Sequence, residues 1–142
     1  MPYLTGVALA LLTGLLCRLA GFDRDRALYP VVLIVVASYY VLFAAMSGSA
    51  RTVLVESTQL AMFASVAVVG FRSSLWLVAA GLVGHGIFDV VLHGPLVSNA
   101  GVPVWWPGFC GGFDVAIGAF LIWLLRRGSI AARALEPASV RG

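Results

Sequence analysis

The chain has 142 residues, of which 61% are hydrophobic and 11% are charged, and its mean hydropathy is +1.02. This composition excludes an ordinary soluble globular domain and is typical of a multi-spanning membrane protein. The formal net charge of +3 comes from arginines that are spread over short joins and the C-terminal tail, so it does not indicate a nucleic-acid partner.

Five apolar segments are long enough to cross a bilayer, which takes about 20 helical residues each. They run approximately over residues 3–20, 28–47, 52–71, 74–94 and 107–125. No lysine or arginine precedes the first segment, so we interpret it as a retained span rather than a signal peptide. We therefore predict an all-α fold, a five-helix transmembrane bundle at residues 1–127 followed by a polar cytoplasmic tail at 128–142. Cys17 and Cys110 fall near opposite faces of this bundle, which excludes a disulfide between them.

The joins predict how the bundle is oriented. Most are very short, so neighbouring spans should pack antiparallel. The longest, at about residues 95–106, is uncharged and ends in Trp105 and Trp106, which is typical of an interfacial aromatic belt. Eight of the nine arginines fall on the side of the first join, the third join and the tail, and Arg51 alone falls on the other. The positive-inside rule then predicts an external N-terminus and a cytoplasmic C-terminus. We expect the membrane to be the inner membrane of a bacterium.

Polar residues gather at one depth of this predicted bundle. His85, Asp89 and His93 are four residues apart, so on a helix they form one polar stripe. The antiparallel topology brings Glu56 of the third span and Asp114 of the fifth span to the same outer half. Ionisable side chains at membrane depth are costly and therefore indicate a functional site. Three carboxylates in a low dielectric are expected to be protonated or to surround a cation.

A divalent metal, Zn, Fe or Mn, fits this residue set, because neutral imidazole and carboxylate are its usual ligands. The candidate ligands are His85, Asp89, His93 and Asp114. The two histidines lie about 12 Å apart along a helix axis, so one ion cannot bind both. We expect a single site to use Asp89 with one histidine, completed by Asp114 or Glu56.

The same residues suit acid–base chemistry, with or without a metal. The groups predicted to be catalytic are Asp89, Asp114, Glu56 and His85. Other side chains at this depth or in the adjoining loop are predicted to contact the substrate, namely Tyr39, Tyr40, Gln59, Trp105, Trp106 and Cys110.

Each polar residue also has a structural interpretation that the sequence leaves open. His93 could be an interfacial side chain, and His85 could form a helix–helix hydrogen bond. Asp89 and Asp114 could form a structural hydrogen-bonded pair, and Glu56 could form an ion pair with Arg51. Cys110 could be a small packing residue.

The last two spans share the pattern G-x-F-D-V at residues 86–90 and 111–115, which either duplication or chance explains.

Over about residues 80–125 the chain also resembles small bacterial multi-spanning membrane proteins of unknown function. The resemblance is carried by His-x3-Asp-x3-His in the penultimate span, a proline-containing join, and Cys-x3-Asp in the last span. These motifs correspond here to His85, Asp89, His93, Cys110 and Asp114. That pattern doubles the second histidine, whereas Leu92 precedes His93 in this chain. The resemblance implies that these residues act together, and it implies no reaction.

Two classes of function follow from the sequence. The first is a small membrane enzyme that acts on a lipid-like or isoprenoid molecule, which would enter from the bilayer or from outside, below the two tryptophans. The second is a non-catalytic protein, either an ion or proton carrier or an accessory subunit of a larger membrane complex. A carrier with only five spans would need to form homo-oligomers, and a haem held by two histidines would need two chains.

Overall fold

The structure is a computed structural model that describes residues 1–24 and 26–132. Every regular element in these two ranges is helical. The elements are α1 (Pro2–Ala20), α2 (Leu28–Met46), α3 (Ala50–Arg72), α4 (Leu75–Ile87), a π-helical turn (Phe88–His93), α5 (Gly94–Leu96) and α6 (Trp106–Arg126). Most of the predicted tail, residues 133–142, lies outside the described ranges.

Within the described ranges, five helical segments are long and apolar enough to span a membrane, as the sequence predicts. The fourth of them, Leu75–Leu96, runs continuously through α4, the π turn and α5. The predicted span limits differ from the observed ones by at most two residues, for example at the start of α3. The side chains of Ser49 and Ser74 accept hydrogen bonds from the first turns of α3 and α4, so local capping sets where both helices begin.

We name the two ends of the bundle by their residues, because no membrane defines them. The tryptophan end carries Trp105 and Trp106 at the start of α6. The arginine end carries Arg18, Arg24, Arg26, Arg72 and Arg126, which follow or close the spans there. Which of the two ends faces the cytoplasm stays a prediction.

Close backbone contact at glycines holds the bundle around α6. α1 packs against α6 through a stripe of small residues, Gly6, Ala10 and Gly14, which are buried. A Cβ atom on Gly6 would lie 2.1 Å from the backbone oxygen of Phe109. α4 meets α6 where Gly86 faces Gly111, and a Cβ on either one would lie 2.9 Å from the backbone oxygen of the other. Small residues allow membrane helices to approach this closely.

The Gly6 contact gives a direct test of how α1 docks. We expect Gly6→Ala to destabilise the protein by about 1–3 kcal/mol, because the new methyl group meets backbone that cannot move aside. The matched control is Gly84→Ala, which meets no atom within 4 Å and should be neutral or up to about 1 kcal/mol stabilising. Unfolding of both variants by SDS in mixed micelles measures the difference. Equal stability of the two variants would contradict the docking of α1 on α6.

At the arginine end, the chain after α6 folds back onto the bundle. Arg26 donates hydrogen bonds to the backbone oxygens of Ala131 (2.8 Å) and Phe71 (3.0 Å). The backbone N–H of Leu75 donates to the oxygen of Ala132 at 2.8 Å. Residues 131 and 132, which belong to the predicted tail, are thus tied to the join before α2 and to the first residue of α4.

Candidate metal centre

The central polar residues lie where the fourth span changes its helical form. His85 is in the last turn of α4, and Asp89 and His93 lie in the π turn that follows. The sequence predicts one regular α-helical stripe here, and the structure differs. Pro95 has no N–H to donate to the preceding turn, so the ladder of α-helical hydrogen bonds cannot continue unchanged. The wider π turn changes the angle between Asp89 and His93, and such turns often occur at functional sites.

Four buried side chains from α4, the π turn and α6 converge at one point. His85, Asp89, Cys110 and Asp114 each offer a ligand atom, and these four atoms all lie within 4.8 Å of one another. His85 Nδ1 is 2.7 Å from Asp114 Oδ2 and 3.5 Å from Asp89 Oδ2, while the Cys110 thiol lies 3.4 Å from Asp114 Oδ2. We call these four residues the acid–thiol cluster.

The cluster could hold a metal ion, because imidazole, thiolate and carboxylate are all metal ligands. Ligands bound at about 2.0–2.3 Å in a tetrahedral site lie about 3–4 Å apart, so only a small inward movement is needed. His85, Asp89 and Asp114 were expected to converge on one histidine-containing site, and they do. Cys110, expected to contact substrate or to pack, is part of the group.

Several oxygen atoms of this region are buried without a hydrogen bond. Both oxygens of Asp89 and one oxygen of Asp114 accept no hydrogen bond from the described residues, although Asp89 Oδ2 lies 3.5 Å from His85 Nδ1. The hydroxyl of Tyr40 lies near Asp89, also without a well-formed hydrogen bond. Since buried polar atoms are nearly always paired, these orphaned oxygens call for a cation or protons.

The glycine contact between α4 and α6 explains why the two aspartates meet. Asp89 follows Gly86 by three residues, and Asp114 follows Gly111 by the same number. Because Gly86 and Gly111 face each other on antiparallel helices, the G-x-F-D-V pattern places one aspartate from each span beside the same contact. The short repeat in the sequence thus has a structural role, whatever its origin.

His93 lies outside the acid–thiol cluster and pairs with Glu56. Its Nε2 atom is 2.9 Å from Glu56 Oε1. Gln59 donates to the other Glu56 oxygen at 3.2 Å, and Asn99 donates to Glu56 Oε1 at 2.7 Å. Glu56 therefore contacts His93 and two amides, and not Arg51 as one interpretation held. We call Glu56, His93, Asn99 and Gln59 the glutamate–histidine group.

Tyr40 lies between the two polar groups. Its ring centroid is 4.3 Å from that of His93 and 6.1 Å from that of His85. A cavity of about 10 Å³ lies here, lined by residues of both groups, including Glu56, Asp89 and both histidines. A space of about 10–15 Å³ is just enough for one water molecule. The two groups therefore share one water-sized space.

The other predicted substrate-contacting residues lie beside a separate apolar groove. Trp106 and Tyr39 line its upper part, with ring centroids 5.2 Å apart, and Cys110 lines its floor. The groove has a volume of about 440 Å³. Trp105 is exposed and contacts Trp106 and Phe109 rather than the groove. Cys110 is thus the residue common to the groove and the acid–thiol cluster.

Asn99 is a site residue that the sequence analysis missed, because it lies in an uncharged loop. Besides Glu56 it contacts the backbone oxygen of Tyr40 at 3.1 Å, so it ties the loop to α2 and α3. We expect Asn99→Ala to destabilise the protein by about 1–3 kcal/mol, because it leaves the buried Glu56 oxygen without this donor. Ser98→Ala, at the exposed neighbouring position, is the control and should be neutral. Limited proteolysis within residues 97–105 and SDS unfolding measure the effect, and identical behaviour of both variants would contradict it.

Chemically, the acid–thiol cluster can bind one cation or share protons between its imidazole and carboxylates. The cavity beside it can hold one water molecule that contacts both the cluster and the glutamate–histidine group. Comparison of the chain with protein-family models, with curated proteins and with solved structures finds no match.

Proposed function

We propose that this protein is a membrane-embedded enzyme in which the acid–thiol cluster binds one divalent metal ion and which acts on a lipid-like substrate. The observation that carries the proposal is the convergence of four potential ligand atoms within 4.8 Å, all buried, with three carboxylate oxygens that accept no hydrogen bond from the described residues. A cation in their midst would satisfy those oxygens and offset the cost of burying two carboxylates.

Zinc is the metal that this residue set favours. A thiolate and an imidazole are softer ligands than the oxygen-only sets that manganese and magnesium prefer. His85, Asp89, Cys110 and Asp114 together would give a tetrahedral site, and release of one carboxylate would open a position for water or substrate. If the purified protein contains iron or manganese instead of zinc, the identity of the metal in the proposal changes, while the four proposed ligands stay the same.

The glutamate–histidine group supplies the acid–base partner in this proposal. The water-sized cavity touches both groups, so a water molecule there would contact the metal site on one side and His93 or Glu56 on the other. A bound metal lowers the pKa of water, and a neighbouring imidazole–carboxylate pair can accept its proton. Asn99 and Gln59 would hold Glu56 in place for this role.

The layer on the arginine side of the cluster favours an enzyme over an ion or proton carrier. The residues three and seven positions away from His85 and Asp114 in that direction are all apolar and buried, namely Leu82, Val78, Ile117 and Leu121. A carrier needs polar groups or water across this depth, since charge is costly in an apolar core. The polar site therefore resembles a closed pocket more than a path through the bundle.

We also propose the setting in which this enzyme works. The arginine bias of the sequence supports an orientation with the arginine end in the cytoplasm and the tryptophan end outside, and the resemblance to small bacterial membrane proteins favours a bacterial inner membrane. Because all four proposed ligands come from one chain, metal binding does not require a homo-oligomer.

Elemental analysis of the purified, detergent-solubilised protein tests the metal. We expect about one zinc per wild-type chain. Asp89→Asn should weaken zinc affinity at least about tenfold, because even outer partners of a metal ligand commonly contribute that much. Glu56→Gln is the control, because it alters the neighbouring group and leaves all four ligands intact. If the wild-type protein contains no stoichiometric metal, the proposed metal site is overturned, and only proton transfer between the imidazole and the carboxylates remains.

A further inference from the structure

The apolar groove lies on the lipid-facing side of α6, between α1 and α2. Its walls are hydrocarbon and aromatic side chains, including Leu9 of α1, Val35 of α2 and Phe113 of α6. In the described part of the chain α1 packs against α6 and not against α2, so the groove is open between these two helices. Its surroundings at this depth would be the hydrocarbon of a bilayer, because all three helices are candidate spans.

One polar atom of the groove has no partner. The indole Nε1 of Trp106, a residue that lines the groove, is buried and donates no hydrogen bond to the described residues, so a ligand in the groove contacts it once the indole rotates slightly. An indole N–H can only donate, so a ligand that satisfies it must present an acceptor. Trp106 is the first residue of α6, which places this donor at the boundary between hydrocarbon and head groups. The ester carbonyls of phospholipids are acceptors that lie at this boundary.

We propose that the groove binds one acyl chain of a bilayer phospholipid, with an ester carbonyl of that lipid accepting a hydrogen bond from Trp106 Nε1. The lining residues of α2 lie between Val31 and Tyr39, a distance of about 12 Å along the helix. One leaflet of hydrocarbon is about 15 Å thick, so the groove accommodates most of one chain.

This binding mode gives the proposed enzyme a substrate class. Cys110 is one turn along α6 from Trp106 and forms the floor of the groove. An acyl chain held at Trp106 therefore passes the acid–thiol cluster with the carbons next to its ester group. This assignment of the substrate rests on the proposed function, whereas occupancy of the groove by a lipid does not.

Photo-crosslinking in vesicles tests the occupancy. The purified protein is reconstituted in phosphatidylcholine that contains a small fraction of a phosphatidylcholine with a diazirine near the ester group of one acyl chain. We expect labelling of Val35, Phe109 and Cys110 well above that of Val69, which is exposed on α3 outside any groove. Val35→Trp or Leu9→Trp, which fill the groove from opposite sides, should reduce it to the Val69 level, while Val69→Trp as control leaves it unchanged.

An ether-linked probe with the same diazirine tests the carbonyl contact. It lacks the acceptor, so wild-type groove residues should be labelled about fivefold less by it, the change expected from one hydrogen bond. In Trp106→Phe the ester and ether probes should label equally. Equal labelling by the two probes in wild type, or no excess over Val69, overturns the proposal. Zinc content is measured on the same samples, so loss of the metal proposal and loss of this one are distinguishable.

Discussion

Replacing His85 by alanine is expected to lower the unfolding free energy of the metal-free protein by about 3–5 kcal/mol, as the breaking of a buried ionic pair does. His85 Nδ1 lies 2.7 Å from Asp114 and 3.5 Å from Asp89, and all three side chains are buried. Without the imidazole, two carboxyl groups remain buried with only the Cys110 thiol and the Tyr40 hydroxyl nearby. SDS unfolding of chelator-treated protein, followed by far-UV circular dichroism, measures the loss.

A second substitution separates this electrostatic cost from a simple cavity. In His85→Ala/Asp114→Asn the acid that loses its partner is neutral, so part of the stability should return. His93→Ala is the comparison for a histidine of similar burial, and it should cost less, because Glu56 keeps its contacts with Asn99 and Gln59. Equal losses for the double and single variants would show that the volume of the imidazole, and not its pairing, sets the effect.

Replacing Arg26 by alanine is expected to cost about 3 kcal/mol, because two hydrogen bonds from a charged donor to backbone oxygens are lost, each worth about 1.5–3 kcal/mol. The control is Arg24→Ala, at an exposed position of the same join, which should be within about 0.5 kcal/mol of wild type. SDS unfolding again gives the values. If both variants match wild type, the chain after α6 is not held by Arg26.

Arg26 also allows its backbone to be tested apart from its side chain. Its φ of 70° lies in the left-handed region, which costs a residue with a Cβ atom about 1–2 kcal/mol. Arg26→Gly loses the same hydrogen bonds as Arg26→Ala and relieves that strain, so it should be the more stable of the two by about 1 kcal/mol. The reverse order would mean that the left-handed conformation is not retained.

The spans could be predicted because bilayer thickness imposes a length and a polarity that the sequence displays directly. Five apolar runs separated by short joins allow few other interpretations, and the regular elements of residues 1–24 and 26–132 are indeed all helical, with five helical segments long and apolar enough to span a membrane. Residues 131 and 132 could not be placed, because their attachment depends on Arg26, over 100 positions earlier in the chain. The orientation, the family resemblance and the cellular membrane stay predictions.

The site was predictable in its composition and less so in its arrangement. Helix spacing and antiparallel joins were enough to bring Asp89 and Asp114 to one depth with a histidine. Helix spacing already separated the two histidines, whereas the pairing of His93 with Glu56 and the π turn that carries Asp89 and His93 were not predicted. Asn99 carries no charge and lies in a loop, so only the folded contact with Glu56 distinguishes it.

In the described part of the chain α1 packs against α6 alone among the helices, which has a consequence for synthesis. The ribosome makes α1 before the other described helices and α6 after them, so α1 has no helical partner until α6 is made. Its small-residue face, with Gly6 and Gly14, finds its only helical neighbour in the described residues once α6 emerges. The groove between α1 and α2 is consequently completed at the end of translation, and a nascent chain that stops before α6 has neither that groove nor Cys110 and Asp114.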